Sequence, residues 1–337
     1  MILAGDIGGT STRLALFESS DVGSAFPGPS TVEGRRTFAS PSLNRLEDAI
    51  DEFLAPHHRV EAACFGVAGP VVDGHASLPN LTWSVDRVAL AAHLKLQHVD
   101  LLNDLEANAY GIACLNATDL APLNAAARET SGNQAILSVG TGLGEAGLYW
   151  DGEQHVPIAS EGGHADFAPR TEVEIELLRD LLSRHRRVSY ERVLSGEGLY
   201  RIFRFLRLRS GQAQPEWLVE ALQRNAAPAA ISKAGLEGSC EDAVQALKIF
   251  VSCLGAEAGN LALRMMASGG VYLGGGIAPK ILPALRDGTF MSAFVNKGRL
   301  GPLLEAFPVS VILNDQTALN GAARFAAMRA HIGAYAG

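Results

Sequence analysis

Two kinds of residue in this chain are spaced for chemistry: acids and amides that close apolar runs, and glycines gathered at turns. Leu101-Leu102-Asn103-Asp104 is an apolar run that ends in an amide and a carboxylate, with helix formers directly after it. In an α/β protein such a run reads as a buried strand, and ligands bind at the carboxyl ends of parallel strands. The same residues also suit a helix start, since Asn103 is a good N-cap and Glu106 completes a capping-box spacing. Taken alone, the stretch leaves both readings open.

Gly8-Gly9-Thr10 joins apolar residues 2–6 to 13–17, and Gly140-Thr141-Gly142-Leu143-Gly144 joins 134–139 to 146–150. Each reads as a hairpin, or as a turn whose backbone N–H groups approach a phosphate. The first is neither a GxGxxG nor a Walker loop. Asp6 closes the first run beside glycines, well placed to hold Mg²⁺ through water. Gly274-Gly275-Gly276, after a strand over 270–273, lets a ligand approach the backbone. Ser160-Glu161-Gly162-Gly163-His164-Ala165-Asp166 packs polar groups among glycines, as functional loops do. Glu161 and His164 alone give weak support for a metal site. Glu145 is an acid just past the second turn. Aimed at a phosphate it would repel it, and aimed outward it would be neutral.

These residues need a scaffold. At 337 residues the chain should fold as two lobes. Its net charge of −8 argues against nucleic acid or an anionic membrane as partner. Cys64, Cys114, Cys240 and Cys253 have no metal-ligand spacing, and the first two read as buried free thiols. The N-terminus lacks a signal-peptide pattern, and no stretch reads as a membrane span, which makes the cytoplasm the expected compartment. Strands are expected near 31–37, 62–67, 99–102, 270–273 and 308–313. Helices are expected near 42–54, 86–94, 105–116, 172–184, 198–208, 216–224, 228–236, 241–266, 279–286 and 317–331. The two glycine hairpins suggest an internal duplication, with a cleft between halves that closes by a hinge.

Taken together, five motifs resemble the bacterial glucokinase family, within the hexokinase–actin–Hsp70 group of ATPases. They are Asp6-Ile7-Gly8-Gly9-Thr10, Leu102-Asn103-Asp104, Gly140-Thr141-Gly142-Leu143-Gly144, Glu161 to Pro169 with Ser189 to Gly196, and Gly274-Gly275-Gly276-Ile277. The resemblance implies an α/β, two-lobed, duplicated ribonuclease H-like (actin-like ATPase) fold with a cleft between lobes. The small domain would hold 1–108 plus 315–337, and the large one 109–314. It implies transfer of the ATP γ-phosphate to the 6-hydroxyl of D-glucose, the entry to glycolysis, by a cytoplasmic homodimer. Asp104 would be the general base. Asn80, Asn103, Asp104, Glu161, His164 and Glu191 would bind the sugar. Asp6, Gly8, Gly9, Thr10, Gly140, Thr141, Gly142, Gly274, Gly275 and Gly276 would bind ATP, with Mg²⁺ held by phosphates, water and Asp6. Ser11 and Glu145 depart from the family pattern. Two other readings are a ROK-type kinase of another hexose or amino sugar, and a sensor that binds glucose without turning it over. No cysteine/histidine zinc cluster follows His164, which disfavours the first.

Overall fold

A computed structural model describes residues 1–18, 31–55, 58–78, 81–126 and 131–335, leaving aside the side chains of 31–34 and 331–335. The chain forms two compact units: Met1–Leu120 with Asn314–Gly337, and Ala121–Leu313. The sequence places the passage between them at 108–109. One helix, Asp104–Gly111, runs across that point, so the first unit continues to Leu120.

In the first unit β1 (Ile2–Ile7), β2 (Ser11–Phe17) and β3 (Thr31–Ala39) make an antiparallel meander. Next come α1 (Leu46–Phe53) and β4 (Ala62–Val67). A small sheet of β5 (Val71–Val72), β6 (His75–Ser77) and β7 (Ser84–Asp86) follows, then α2 (Arg87–Leu94), β8 (Val99–Asn103) and α3 (Asp104–Gly111). The main sheet has the order β3-β2-β1-β4-β8, with β1, β4 and β8 parallel. Side chains alternate between its faces, as the two-residue period of a strand requires. Leu3, Ile7, Leu14 and Phe65 pack with Leu46 and Ile50 of α1. Ile2, Ala4, Ala15 and Cys64 pack on the other face with Ala107 and the C-terminal helix.

The second unit repeats that plan. After β9 (Leu120–Pro122), β10 (Gln134–Val139), β11 (Leu143–Trp150) and β12 (His155–Ile158) form the second meander. Helices α4 (Glu172–Leu182), α5 (Gly196–Ser210), α6 (Glu216–Gln223), α7 (Ala227–Glu237) and α8 (Glu241–Met265) lead to β13 (Gly270–Gly274). Short helices α9 (Leu282–Leu285), α10 (Thr289–Val295) and α11 (Gly301–Glu305) precede β14 (Val309–Ile312). Finally α12 (Thr317–Tyr335) returns to the first unit. The sheet order is β12-β11-β10-β13-β14-β9, with β10, β13 and β14 parallel. Apart from the added β9, each sheet is an antiparallel meander whose first strand continues into a parallel run, so the duplication expected from the glycine hairpins is present.

Three expectations change. The helix expected over 105–116 stops at Gly111 and tightens into a 3-10 turn at Ile112–Cys114, because Asn116 starts a new turn by accepting the Thr118 N–H. The helix over 279–286 is a 3-10 turn at Ala278–Ile281 followed by α9 from Leu282, since Pro283 in the first turn of α9 has no N–H to carry one helix through. Third, α8 does meet the length and composition of a membrane span, contrary to the sequence reading. However, 72% of its most apolar window is buried inside the protein. Its side chains Phe250, Leu254 and Leu261 belong to the core of the second unit.

Candidate active site

In the first unit the chemistry gathers where β1, β4 and β8 end. Register places Asp6 beside Gly66 and Gly66 beside Leu102, so Asp6 on β1 and the Asn103-Asp104 pair at the end of β8 leave parallel strands at one level, with β4 between them. Asn103 is the N-cap of α3: its Oδ1 accepts the Leu105 N–H at 2.9 Å, and its Nδ2 donates to the Gly69 carbonyl at 3.0 Å. The Asn103 backbone N–H offsets part of the effect of burial on the Glu106 carboxyl, which is raised overall. Asp104 is thus the first residue of α3, and its Oδ1 accepts the same Leu105 N–H at 2.9 Å. The cap fixes the backbone from which Asp104 projects.

Asp6 is three-quarters covered. Loss of water pushes its carboxyl up to about 6, opposed by Arg13 and reinforced by the charges of Asp104 and Asp315. Arg13 stands 3.8 Å from Asp6 and also donates to the Asp315 carbonyl at 2.9 Å. Asp6 and Asp315 share Arg13, and Asp104 adds a third negative charge, a field that favours a hard cation, so Asp6 fits a Mg²⁺ held largely by water and phosphate. Among the described residues no group of three or more His, Cys, Asp or Glu side chains could hold a metal by itself.

The Gly8-Gly9-Thr10 turn is closed by the Gly8 N–H donating to the Ser11 carbonyl at 2.9 Å, so the Ser11 side chain takes no part in that closure. Ser40, which the sequence reading missed, braces the turn. Its hydroxyl donates to the Gly8 carbonyl at 2.7 Å and meets the Thr12 hydroxyl at 2.9 Å, and its N–H donates to the Thr10 carbonyl at 3.1 Å. Only its low exposure would single it out, and a serine before a proline carries no such signal in sequence. Asn80 lies outside the described residues.

In the second unit the Gly140–Gly142 turn is closed in the same way, by the Gly140 N–H on the Gly142 carbonyl at 2.9 Å. The Gly196 N–H, at the start of α5, donates to the Gly140 carbonyl at 2.9 Å. Register sets Gly274 beside Ser138, which brings Gly274-Gly275-Gly276 next to this turn. Gly275 has φ +83, and a side chain on it would overlap the Val139 backbone, so only glycine fits.

Glu161, His164 and Glu191 do come together. His164 Nε2 lies 3.9 Å from Glu161, and its Nδ1 lies 3.9 Å from Glu191. All three keep exposed surface and point donors and acceptors in fixed directions, which suits a ligand rich in hydroxyls. Glu191 is tied down from behind, because Oε2 accepts the Leu143 N–H at 3.1 Å. That bond links the cluster to the second glycine turn. Ser195 holds the segment by donating to the Glu191 carbonyl at 2.8 Å while capping α5.

Glu145 points neither at the turn nor outward. It is fully buried.

A family model described as Glucokinase matches residues 3–329. A glucokinase from Nostoc sp. is 43% identical over 347 residues, covering 97% of this chain and 99% of that protein. One from Saccharophagus degradans is 35% identical, covering 95% and 96%. The solved structure of a glucokinase from an Antarctic psychrotroph matches with a TM-score of 0.83 at 30% identity, covering 96% of this chain and 98% of the other. A ROK family glucokinase from Streptomyces griseus, in complex with glucose and AMPPNP, matches in fold with a TM-score of 0.63 at 22% identity, covering 97% and 99%. The fold is the duplicated, actin-like ATPase fold.

Proposed function

This chain belongs to the glucokinase family, and we propose that it moves the γ-phosphoryl group of ATP to the 6-hydroxyl of D-glucose with Asp104 as general base. It is an ATP-dependent hexose kinase. The reading of Asp104 is carried by one observation. A carboxylate stands on the first turn of α3, at the carboxyl end of parallel strand β8, and its charge is felt by Asp6 at the end of β1, across β4 in the same sheet.

Asp104 takes the proton of the 6-hydroxyl as that oxygen bonds to the γ-phosphorus and the bond to the β-phosphate oxygen breaks. A positioned base of this kind contributes about 10²–10⁴-fold. Asn80, Asn103, Glu161, His164 and Glu191 hold the ring hydroxyls. A site of paired polar groups rejects an analogue lacking a bonded hydroxyl by roughly 10⁴–10⁵-fold, since the partner is then left unpaired. Backbone N–H groups of Gly8-Gly9-Thr10 and Gly140-Thr141-Gly142 cradle the phosphates, and Gly274-Gly275-Gly276 takes the adenosine. When bound, Mg²⁺ neutralises charge on the phosphates, and Asp6 would hold it through water. Phosphoryl transfer asks little more of a protein than positioning and charge stabilisation.

Free thiols at Cys64, Cys114, Cys240 and Cys253 suit a reducing compartment, so we place the enzyme in the cytoplasm. The exposed Leu208, Val219 and Leu222 on α5 and α6 suit the homodimer that family membership suggests. A coupled assay with MgATP and a panel of aldohexoses tests the function, with glucose expected as the preferred acceptor. Absence of ATP-dependent phosphorylation of every aldohexose would rule it out.

A further inference from the structure

Under the loop that carries Glu161 and His164 lies a carboxyl group that the reaction does not use. Glu145 stands on β11, two residues after the Leu143 N–H that holds Glu191, and none of its surface reaches solvent. Neither carboxyl oxygen has a hydrogen-bond partner. The carboxyl lies directly against the loop: a methyl group placed on Gly162 would sit 2.5 Å from Oε2. Glu145 and Glu161 also pair through their backbones as parallel neighbours.

The two charged groups that act on it, Glu257 and Arg264, both come from α8, and Tyr190 and Lys297 reach them through Asn260. From α8, Glu257 is buried as completely as Glu145 and is held by Arg264 and by Asn260. Asn260 also donates to the Tyr190 hydroxyl, beside Glu191, and accepts from Lys297. Burial and Glu257 push the Tyr190 phenol well up, which keeps it a donor, and burial lowers Lys297. Arg264 is already engaged by Glu257, so Glu145 faces an occupied cation and a like charge. Burial first, and Glu257 second, push the Glu145 carboxyl up to about 8, with Arg264 opposing. Near neutral pH the group is therefore an uncharged acid.

We propose that Glu145 is a positioning residue for the sugar: uncharged, it supports the Ser160–His164 loop from below, and on losing its proton it displaces that loop and weakens sugar binding. An anion with no donor in a dry site must be solvated or must move its surroundings. Strands β10 and β11 and helix α8 are core elements, whereas Ser160, Glu161 and His164 are exposed. The loop is the side that gives way. This inference rests on the reading that Glu161 and His164 hold the sugar.

The test is the glucose KM and kcat of wild type, Glu145→Gln and Glu161→Gln from about pH 6.5 to about pH 9.5 at saturating MgATP, with calorimetric glucose binding alongside. In wild type the glucose KM is expected to rise about tenfold across that range, as the competent fraction falls, while kcat changes less than about twofold. Its midpoint should lie near 8. Glu145→Gln keeps the shape of the protonated acid and should give a flat KM. A wild-type KM and glucose affinity that stay flat overturn the proposal, even if Glu145→Gln fails to fold. A rise that survives in Glu145→Gln overturns it as well. Glu161→Gln separates the two readings. If its glucose KM matches wild type, the assignment of the sugar loop fails; if it is raised while wild type is flat with pH, only the role of Glu145 fails.

Discussion

A carboxylate on the first turn of a helix faces backbone N–H groups that have no partner within the helix, and Asp104 shares one of them, on Leu105, with Asn103. An amide at position 104 accepts the same bond, so Asp104→Asn should leave α3 and the sugar contacts in place. Its expected result is a kcat lower by at least about 10²-fold, with glucose affinity within about threefold of wild type. Steady-state kinetics beside calorimetry would decide it, and an unchanged kcat would take Asp104 out of the reaction. Asp6 invites a different measurement. Its carboxyl titrates at about 6 rather than 3.8, and the anion is the form that attracts a cation. The Mg²⁺ concentration needed for half-maximal rate should rise several-fold as pH falls from about 7 to about 5. In Asp6→Asn that requirement should be higher throughout and lose most of its pH dependence. For folding the sign is the reverse. A raised acid favours the native state below 3.8, and that contribution is lost as pH rises through about 6.

At the scale of elements, the aim of Asp104 depends on how closely α3 lies against its neighbours. A side chain on Gly321 of α12 would overlap the Ala107 carbonyl, and one on Gly111 of α3 would overlap the Thr317 carbonyl. Gly321→Ala should therefore push α3 off its seat. Overpacking of this kind costs about 1–3 kcal/mol, which should lower Tm by roughly 2–10 °C. Because Ala107 is one turn from Asp104, kcat should fall more than glucose affinity; a wild-type Tm and kcat would contradict the close packing. Nothing in the sequence marks Gly321 as a contact, since its partner is more than two hundred positions away. What could be read locally is what local pattern encodes: strands ending in glycine turns, the N-cap at Asn103, and amphipathic helices. Strand β12 escaped notice because His155-Val156-Pro157-Ile158 is a short edge strand with a proline and little burial. Strands β5, β6 and β7 are two or three residues long and have no period to detect. Residue types and spacing also could not place Ser40 behind the first turn or turn Glu145 into the core, because both depend on pairing between distant segments.

At the scale of the molecule, the chain leaves the first unit at Leu120 and re-enters it at Asn314, so that unit is closed by its last helix. On α12, Ala318, Leu319, Ala322, Ala323, Ala326 and Ala327 fill one face of the β1-β4-β8 sheet against Ile2, Ala4, Cys64 and Leu102. Arg13, which balances Asp6, takes the Asp315 carbonyl from the same return segment. The core of the second unit, by contrast, draws its last residue from Val311. A chain ending at Leu313 would leave an apolar sheet face in water, at a cost of about 25 cal/mol for each Å² uncovered, set against a margin of only about 5–15 kcal/mol for a whole domain. Limited proteolysis of that truncated chain should digest the segment before Leu120 and leave a resistant fragment spanning roughly 121–313. It should also abolish phosphoryl transfer, since Asp104 and Asp6 both belong to the unit that loses its closing helix. A truncated chain that keeps its first 120 residues protected and still phosphorylates glucose would show that α12 only covers a unit able to stand without it.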